Sequence, residues 1–277
     1  MSKETVVTLI TGAEKGIGRQ YAEELGKKGQ HIFIGAYDME TGKQTQEELS
    51  AEGIAVDLVH CDITDQSTID SAMAAIDQKF GYLNILLNNA GISGGAPKKP
   101  SETSDAFLRK VFDTNFFGTA AMVRSALPLL KKAPFGKILN VSSEMGSLTA
   151  AMDKNSLFYH MNSFAYSASK SAVNWITVSF AKELEGTSVT VNSVDPGMTA
   201  TDLVNKKVFE EITKLNNGKT GDYRKVNTFP ITNCSWCGCN SVSKNQFGKY
   251  DLGYTATDKS FSTHCLNSDC AFSEELP

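Results

Sequence analysis

Tyr166 and Lys170 are the residues of this sequence whose types and spacing best suit proton transfer. On a helix, an i, i+4 spacing places two side chains on the same face. A phenol has an ordinary pKa of about 10 and is a poor acid–base catalyst at neutral pH, but a nearby ammonium group lowers that pKa. The pair alone is a common pattern, so its meaning depends on the residues around it.

A glycine-rich segment, 11–18 (TGAEKGIG), lies between a β-branched apolar run and a helical pattern. Glycines permit a tight turn and a close approach of the backbone to a ligand. The helix that follows offers free N–H groups and a positive dipole end to a pyrophosphate. The segment therefore predicts a dinucleotide site that includes Thr11, Gly12, Lys15, Gly16, Ile17 and Gly18.

The end of the second predicted strand indicates which nucleotide is bound. Folds that bind NAD usually place an acidic residue there to hold the ribose 2′-OH. Here the position is Ala36, followed by Tyr37 and Asp38, and Lys15 in the glycine loop can pair with a 2′-phosphate. Asp38 is an argument for NAD. The residues favour NADP(H), with NAD(H) as the alternative.

The elements that must position these residues alternate along the chain. Strands are predicted at 5–10, 31–36, 54–62, 83–91, 136–143 and 188–197, and the longest helices at 65–80, 105–131 and 164–185. Alternation of this kind indicates a parallel sheet with helices on both faces. We expect an α/β fold, a Rossmann-type doubly wound parallel sheet over 1–204, followed by a small Cys-rich C-terminal module over 205–277.

Further motifs follow the glycine loop in order: CDIT (61–64), NNAG (88–91), Asn115, Ser143 in ILNVSS, YSASK (166–170) and DPGMTATD (195–202). With the loop, they resemble the short-chain dehydrogenase/reductase family over about residues 5–203. Lys15, the TATDL segment and an insertion at 144–163 resemble the carbonyl-reductase branch. An ordered series of motifs is far more specific than any one of them.

The resemblance implies a role for each matching residue. Tyr166 is the general acid that protonates a carbonyl oxygen as hydride arrives from the nicotinamide. Lys170 lowers the pKa of Tyr166 and holds the ribose hydroxyls. Ser143 binds the substrate oxygen, with Ser142 as the weaker candidate, and Asn115 supports a proton relay.

The resemblance also implies cofactor contacts beyond the glycine loop, at Tyr37, Asp62, Ile63, Asn88, Asn89, Ala90, Gly91, Tyr166, Lys170, Pro196, Gly197, Thr199 and Thr201. The insertion is expected to border the substrate pocket. Its apolar residues (Met152, Phe158, Tyr159 and Met161) suit a hydrophobic aldehyde, ketone or quinone. The alternative is a surface loop with no substrate role.

The C-terminal segment departs from the family, whose last helix and strand have no convincing match here. Cys234 and Cys237, then Cys265 and Cys270, fit a four-cysteine zinc ribbon over 228–277, with Cys239 and His264 as substitute ligands. Free thiols are the alternative, since C-x4-C is a looser spacing than C-x2-C. The tail resembles zinc-ribbon inserts of bacterial helicase-like proteins, and a chimaeric or truncated gene would also explain it.

Composition excludes some classes of function. The chain of 277 residues has 27 basic and 31 acidic side chains and a net charge of −4, which argues against nucleic-acid binding by bulk charge. With neither a long apolar run nor a signal peptide, a cytoplasmic protein is expected. We predict an NADP-dependent oxidoreductase that reduces a small-molecule carbonyl. The alternative is an NADP(H)-sensing regulatory protein, and the oligomeric state is left open.

Overall fold

A six-stranded parallel sheet forms the centre of the molecule. The computed structural model describes residues 5–94, 99–159, 161 and 163–197, together with the backbone of two short strands near the C-terminus. The strands are β1 (Val7–Thr11), β2 (His31–Ala36), β3 (Val56–His60), β4 (Ile85–Asn88), β5 (Gly136–Val141) and β6 (Val189–Val194). Their order is β3-β2-β1-β4-β5-β6, and every neighbouring pair is parallel. The predicted Rossmann-type sheet is confirmed.

Helices cover both faces of the sheet. They are α1 (Gly16–Lys27), α2 (Met39–Ala51), α3 (Gln66–Phe80), α4 (Asp105–Phe112), α5 (Thr119–Lys132), α6 (Leu148–Met152) and α7 (Phe164–Glu183). One buried cluster joins α3, α5 and α7 to the sheet, and another joins α1 and α2 to the opposite face. The strand order reverses between β1 and β4, which is where folds of this kind bind ligands at the carboxyl ends of their strands.

The long helix predicted over 105–131 is interrupted in the structure. Between α4 and α5, residues Asp113–Gly118 form a π-helical turn. Asn115 lies in this turn, and its side-chain amide bonds to both backbone groups of Ile92. The apolar periodicity of the sequence continues through this turn, so no local pattern predicts the interruption. The turn is identified by the contact between Asn115 and Ile92, which are distant in sequence. Such π turns are frequent at functional sites.

The insertion at 144–163 carries short helical elements rather than a plain loop. A 3₁₀ turn at Glu144–Gly146 precedes α6, and another follows at Leu157–Tyr159. Near the C-terminus, β7 (Thr232–Cys234) and β8 (Cys239–Ser241) pair antiparallel, with Cys234 opposite Cys239. The rest of the predicted Cys-rich module lies outside the described residues.

Candidate active site

The glycine loop joins β1 to α1 and forms one wall of a cleft of about 1520 Å³. Gly12 and Gly16 have φ angles of 64° and 58°, in the left-handed region that favours glycine. A Cβ atom added at Gly18 would lie 2.3 Å from the carbonyl oxygen of Gly12, so no side chain fits there. The loop therefore has the tight turn and open backbone that a bound dinucleotide requires.

Most of the predicted cofactor contacts line this cleft. They are Gly12, Lys15, Gly16, Ile17, Tyr37, Asp62, Ile63, Asn89, Ala90, Gly91, Tyr166, Lys170 and Pro196. Thr11 supports the cleft indirectly, because its Oγ1 accepts hydrogen bonds from the N–H groups of Asn89 and Ala90, both 3.0 Å long. Asn88 bonds Asn140 in the core of the sheet, 2.9 Å from its Nδ2 to Oδ1. Thr199 and Thr201 lie outside the described residues.

Acidic side chains at the β2 and β3 end of the cleft have different partners. The Asp38 carboxylate caps α2 by accepting a 2.8 Å hydrogen bond from the N–H of Thr41. Hydrogen bonds from Thr41 hold the pKa of Asp38 below its usual range. Asp62 Oδ1 accepts from the N–H and hydroxyl of Thr64, at 2.9 and 2.7 Å. Asp38, the argument for NAD in the sequence, is therefore engaged as a helix cap.

Glu14 is the unexpected member of this end of the cleft. It lines the cleft beside Lys15, yet only 7% of its surface is exposed. One carboxylate oxygen, Oε1, accepts a long hydrogen bond (3.4 Å) from the N–H of Tyr37. The other, Oε2, is buried without a hydrogen-bond partner. Sequence reasoning passed over Glu14, although an acidic residue inside a phosphate-binding loop was a signal that could have been used.

The Asn115 side chain holds the π-helical turn against the loop that follows β4. Its Oδ1 accepts from the N–H of Ile92 at 2.8 Å, and its Nδ2 donates to the Ile92 carbonyl and to Ser169 Oγ, both at 2.9 Å. Ser169 lies on α7 next to Lys170. Asn115 thus joins the loop after β4 to the helix that carries the proton-transfer pair.

Tyr166 and Lys170 project from the first turns of α7 into the same cleft. The Lys170 ammonium nitrogen lies 5.7 Å from the centroid of the Tyr166 ring and donates a 2.7 Å hydrogen bond to the Val141 carbonyl. Burial lowers the pKa of Lys170 to about 8, against the opposing effect of the Asp195 carboxylate. The lysine is therefore held by the end of β5 at a fixed distance from the phenol.

The pKa of Tyr166 differs from the sequence expectation. Burial raises it above its ordinary value, the Asp195 carboxylate raises it further, and a hydrogen bond with Ser143 opposes both. Lys170 was expected to lower this pKa, but the largest effect on it is the burial of the phenol, because a buried phenolate is poorly solvated. Tyr166 is thus protonated at neutral pH.

The two serines after β5 have different partners. Ser142 Oγ donates to Asn174 Oδ1 at 2.7 Å, which ties it to α7. Ser143 Oγ accepts from the N–H of Met145 at 3.2 Å and hydrogen-bonds Tyr166. These contacts favour Ser143, the residue that the resemblance implies, as the hydroxyl next to the phenol.

Asp195 is a second residue that sequence reasoning left without a role. It follows β6, and its Oδ2 accepts a 2.9 Å hydrogen bond from the N–H of Glu144 while Oδ1 accepts one of 2.9 Å from the N–H of Gly197. Burial raises the pKa of Asp195, and these hydrogen bonds oppose the rise. Its carboxylate connects the turn that follows Ser143 to the loop after β6.

The described part of the insertion exposes apolar side chains. Leu148 and Met152 are 73% and 76% exposed, and Tyr159 and the adjoining Phe164 are also exposed. A Cβ added to Gly146 would lie 2.8 Å from the backbone carbon of Lys170, so the first turn of the insertion packs directly on α7. The insertion therefore begins at the proton-transfer pair and continues into an apolar surface.

The predicted zinc ligands Cys234, Cys237, Cys265 and Cys270 lie outside the residues whose side chains are described, so the zinc site stays a prediction. Among the residues that the structure does describe, no cluster of three or more His, Cys, Asp or Glu side chains could hold a metal ion. No helix of that part is both long and apolar enough to cross a membrane.

Comparison with known proteins identifies the family of the chain. Residues 6–212 match the model of the short chain dehydrogenase family. The chain belongs to the short-chain dehydrogenase family. This finding confirms the family, while a carbonyl-reductase branch within it stays a prediction.

Relatives of this short-chain dehydrogenase are named as reductases. It is 35% identical over 231 residues to a protein named as ketoacyl reductase 1 of the granaticin polyketide synthase from Streptomyces violaceoruber, covering 81% of this chain and 79% of the relative. It is 31% identical to a 3-oxoacyl-(acyl-carrier-protein) reductase of Vibrio cholerae, covering 82% and 88%. A crystal structure of an actinorhodin polyketide ketoreductase with NADPH superposes with a TM-score of 0.70, 27% identity and coverage of 82% and 89%.

Proposed function

We propose that this short-chain dehydrogenase reduces the carbonyl group of a small hydrophobic molecule to an alcohol, with NADP(H) as its cofactor. The observation that carries the proposal is the half-buried, protonated Tyr166 beside Lys170 in the cleft that the glycine loop borders. A protein that only binds nucleotide has no physical need for a positioned proton donor at this place.

When bound, the reduced nicotinamide supplies the hydride that reaches the carbonyl carbon. Tyr166 donates its hydroxyl proton to the carbonyl oxygen, which completes the alcohol. The raised pKa of Tyr166 suits this direction because a proton donor must be protonated at the working pH. Ser143, hydrogen-bonded to Tyr166, binds the same oxygen and orients it toward the phenol.

Lys170 and Asn115 hold the catalytic helix and return the proton. The Lys170 ammonium group, with a pKa near 8, is charged at neutral pH and binds the ribose hydroxyls of the cofactor. Its bond to the Val141 carbonyl and the Asn115 bond to Ser169 keep α7 in register with the ends of β4 and β5. Asn115 supports the relay that reprotonates Tyr166 through Lys170.

The use of NADP(H) as a cofactor is supported by three observations. Lys15 lines the cleft, and Ala36 ends β2 without a carboxylate. The ketoreductase that resembles this chain was crystallised with NADPH. The relatives named as oxoacyl and ketoacyl reductases, and the exposed apolar residues of the insertion, support a ketone on an acyl chain as substrate.

Oxidation of NADPH tests the proposal with a panel of 3-oxoacyl thioesters, simple ketones, aldehydes and quinones. We expect turnover with at least one class in the wild type and turnover about a thousandfold slower in Tyr166→Phe. Tyr82→Phe is the matched control, because it removes a tyrosine hydroxyl that bonds the Thr5 carbonyl, at a residue that does not line the cleft. Tight NADPH binding without turnover of any compound would contradict the enzyme and support the cofactor-sensing alternative.

A further inference from the structure

The Glu14 carboxylate occupies the place at which a ribose hydroxyl is recognised. Folds that bind NAD usually supply an acidic residue from the end of the second strand to bind the 2′-OH. In this chain β2 ends at Ala36, and the first residue after it, Tyr37, donates its N–H to Glu14 Oε1. A carboxylate from the neighbouring glycine loop thus reaches the strand end that lacks one.

The second oxygen of this carboxylate lacks a donor. Glu14 Oε2 is buried and unpaired, and an unsatisfied buried acceptor is costly to the folded state. The Thr45 hydroxyl donates a 2.7 Å hydrogen bond to the backbone carbonyl of Glu14, which anchors the loop and leaves the side chain its own torsions. Glu14 lines the cleft, so a rotation of its side chain would bring Oε2 to a donor bound there.

The charge of the carboxylate decides which ligand suits it. A ribose 2′-OH is a hydrogen-bond donor and would satisfy Oε2. A 2′-phosphate offers no donor at neutral pH when it is fully ionised, and it repels a carboxylate. Lys15 attracts the phosphate from the next position of the loop, so adjacent residues act in opposite directions.

We propose that Glu14 is a specificity-determining residue that accepts a hydrogen bond from the adenosine ribose 2′-OH, so that NAD(H) binds nearly as well as NADP(H). The proposal rests on the proposed function, because it needs a nicotinamide dinucleotide in the cleft. It adds that Glu14 offsets the attraction that Lys15 exerts on the 2′-phosphate. The two cofactors then compete on nearly equal terms.

Direct binding of NADH and NADPH to the full chain tests this proposal without reference to activity. Calorimetric titration should give dissociation constants within about tenfold of each other in the wild type, since opposing charges of this kind each change affinity by about tenfold. Glu14→Gln keeps the size of the side chain and removes its charge. We expect the ratio of the two constants to move at least about tenfold toward NADPH.

Two further variants make the result specific. Glu40→Gln removes an equally charged, exposed side chain from the first turn of α2 and should leave the ratio unchanged. Glu14→Ser removes the carboxylate altogether and should change the ratio in the same direction as Glu14→Gln. Glu14→Gln and Glu14→Ser both keep the backbone carbonyl that the Thr45 hydroxyl binds, so the loop stays anchored.

The outcomes separate this proposal from the proposed function. Binding of both cofactors with a ratio that Glu14→Gln leaves unchanged would overturn the role of Glu14 alone. A wild type that binds NADPH more than about a hundredfold tighter than NADH would also overturn it. Binding of neither cofactor would overturn the proposed function and this proposal with it.

Discussion

The two ends of the cleft satisfy their polar groups in different ways. At the catalytic end (Asn115, Ser143, Tyr166, Lys170 and Asp195), the charged and amide groups of Asn115, Lys170 and Asp195 are hydrogen-bonded by the chain itself. At the other end, where we propose that adenosine binds and which we call the adenosine end (Glu14, Lys15, Tyr37 and Asp62), Glu14 Oε2 is buried without a hydrogen-bond partner. The catalytic end is built before any ligand arrives, whereas the adenosine end needs a ligand to complete it.

This difference follows from what each end does. Proton transfer needs fixed geometry and a shifted pKa, both of which a prearranged, dry site supplies. The cost is that Lys170 is held, with its charge, away from water. Nucleotide recognition needs a group whose hydrogen bond forms only with the correct ligand. An acceptor left without a partner gives that selectivity.

The largest expected effect comes from removing the proton donor. Tyr166→Phe should lower the rate of carbonyl reduction by about a thousandfold, since general acid catalysis contributes about 10²–10⁴. Cofactor affinity, which depends on the other contacts, should change little. Steady-state kinetics and NADPH titration of the variant check the two halves of this prediction.

Lys170→Met should lower the activity of the protein and raise its stability. We expect reduction to fall about a hundredfold, while the free energy of unfolding at pH 7 rises by about 1–3 kcal/mol because a buried charge has been removed. The pKa of Lys170 is lowered from 10.5 to about 8 in the folded protein. The unfolded chain therefore keeps this proton to higher pH than the folded chain. The increase in the free energy of unfolding on going from the wild type to Lys170→Met is therefore full below pH 8 and disappears near pH 10.5.

Urea unfolding of the wild type and Lys170→Met at pH 7 and pH 10 measures this gain. Lys182→Met on the same helix is the control, as it lies in the last turn of α7, away from the cleft. A Lys170→Met protein less stable than the wild type at pH 7 would mean that the bond to Val141 outweighs the burial of the charge.

Asp195→Asn should have a smaller effect that depends on pH. The carboxylate raises the pKa of both Tyr166 and Lys170, so its removal lowers both. Reduction needs both groups protonated, and its alkaline limb should therefore move to lower pH. The rate at neutral pH should fall about tenfold as the turn after Ser143 loses an anchor. A pH–rate profile measures both changes, and an alkaline limb that stays in place would contradict the electrostatic role.

The smallest expected effect lies at the adenosine end. Lys15→Ala should weaken NADPH binding by about five- to tenfold and leave NADH binding nearly unchanged, since only the 2′-phosphate pairs with this charge. Calorimetric titration with the two cofactors checks it. An equal loss for both would place Lys15 at a group that the cofactors share.

The sequence indicated some features of each end of the cleft and missed others, for a physical reason. Tyr166, Lys170 and Ser143 are marked by ordered motifs, and the alternation of strands and helices places them at one edge of the sheet. The π turn at Asn115 and the anchor at Asp195 depend on contacts between residues 23 and 51 positions apart, which leave no local pattern. Glu14 had a local signal, its acidic side chain inside the glycine loop, but its contact with Tyr37, 23 residues away, left no pattern in the sequence.

Transfer of deuterium from the cofactor tests the central claim most directly. The chain, NADPH carrying deuterium at both C4 positions of the reduced nicotinamide, and the best substrate of the panel are incubated, and the product is analysed by mass spectrometry. We predict an alcohol with one deuterium on the former carbonyl carbon, formed at similar rates by the wild type and Tyr82→Phe and about a thousandfold more slowly by Tyr166→Phe. An alcohol without the label, or equal labelled product from Tyr166→Phe, would contradict the account.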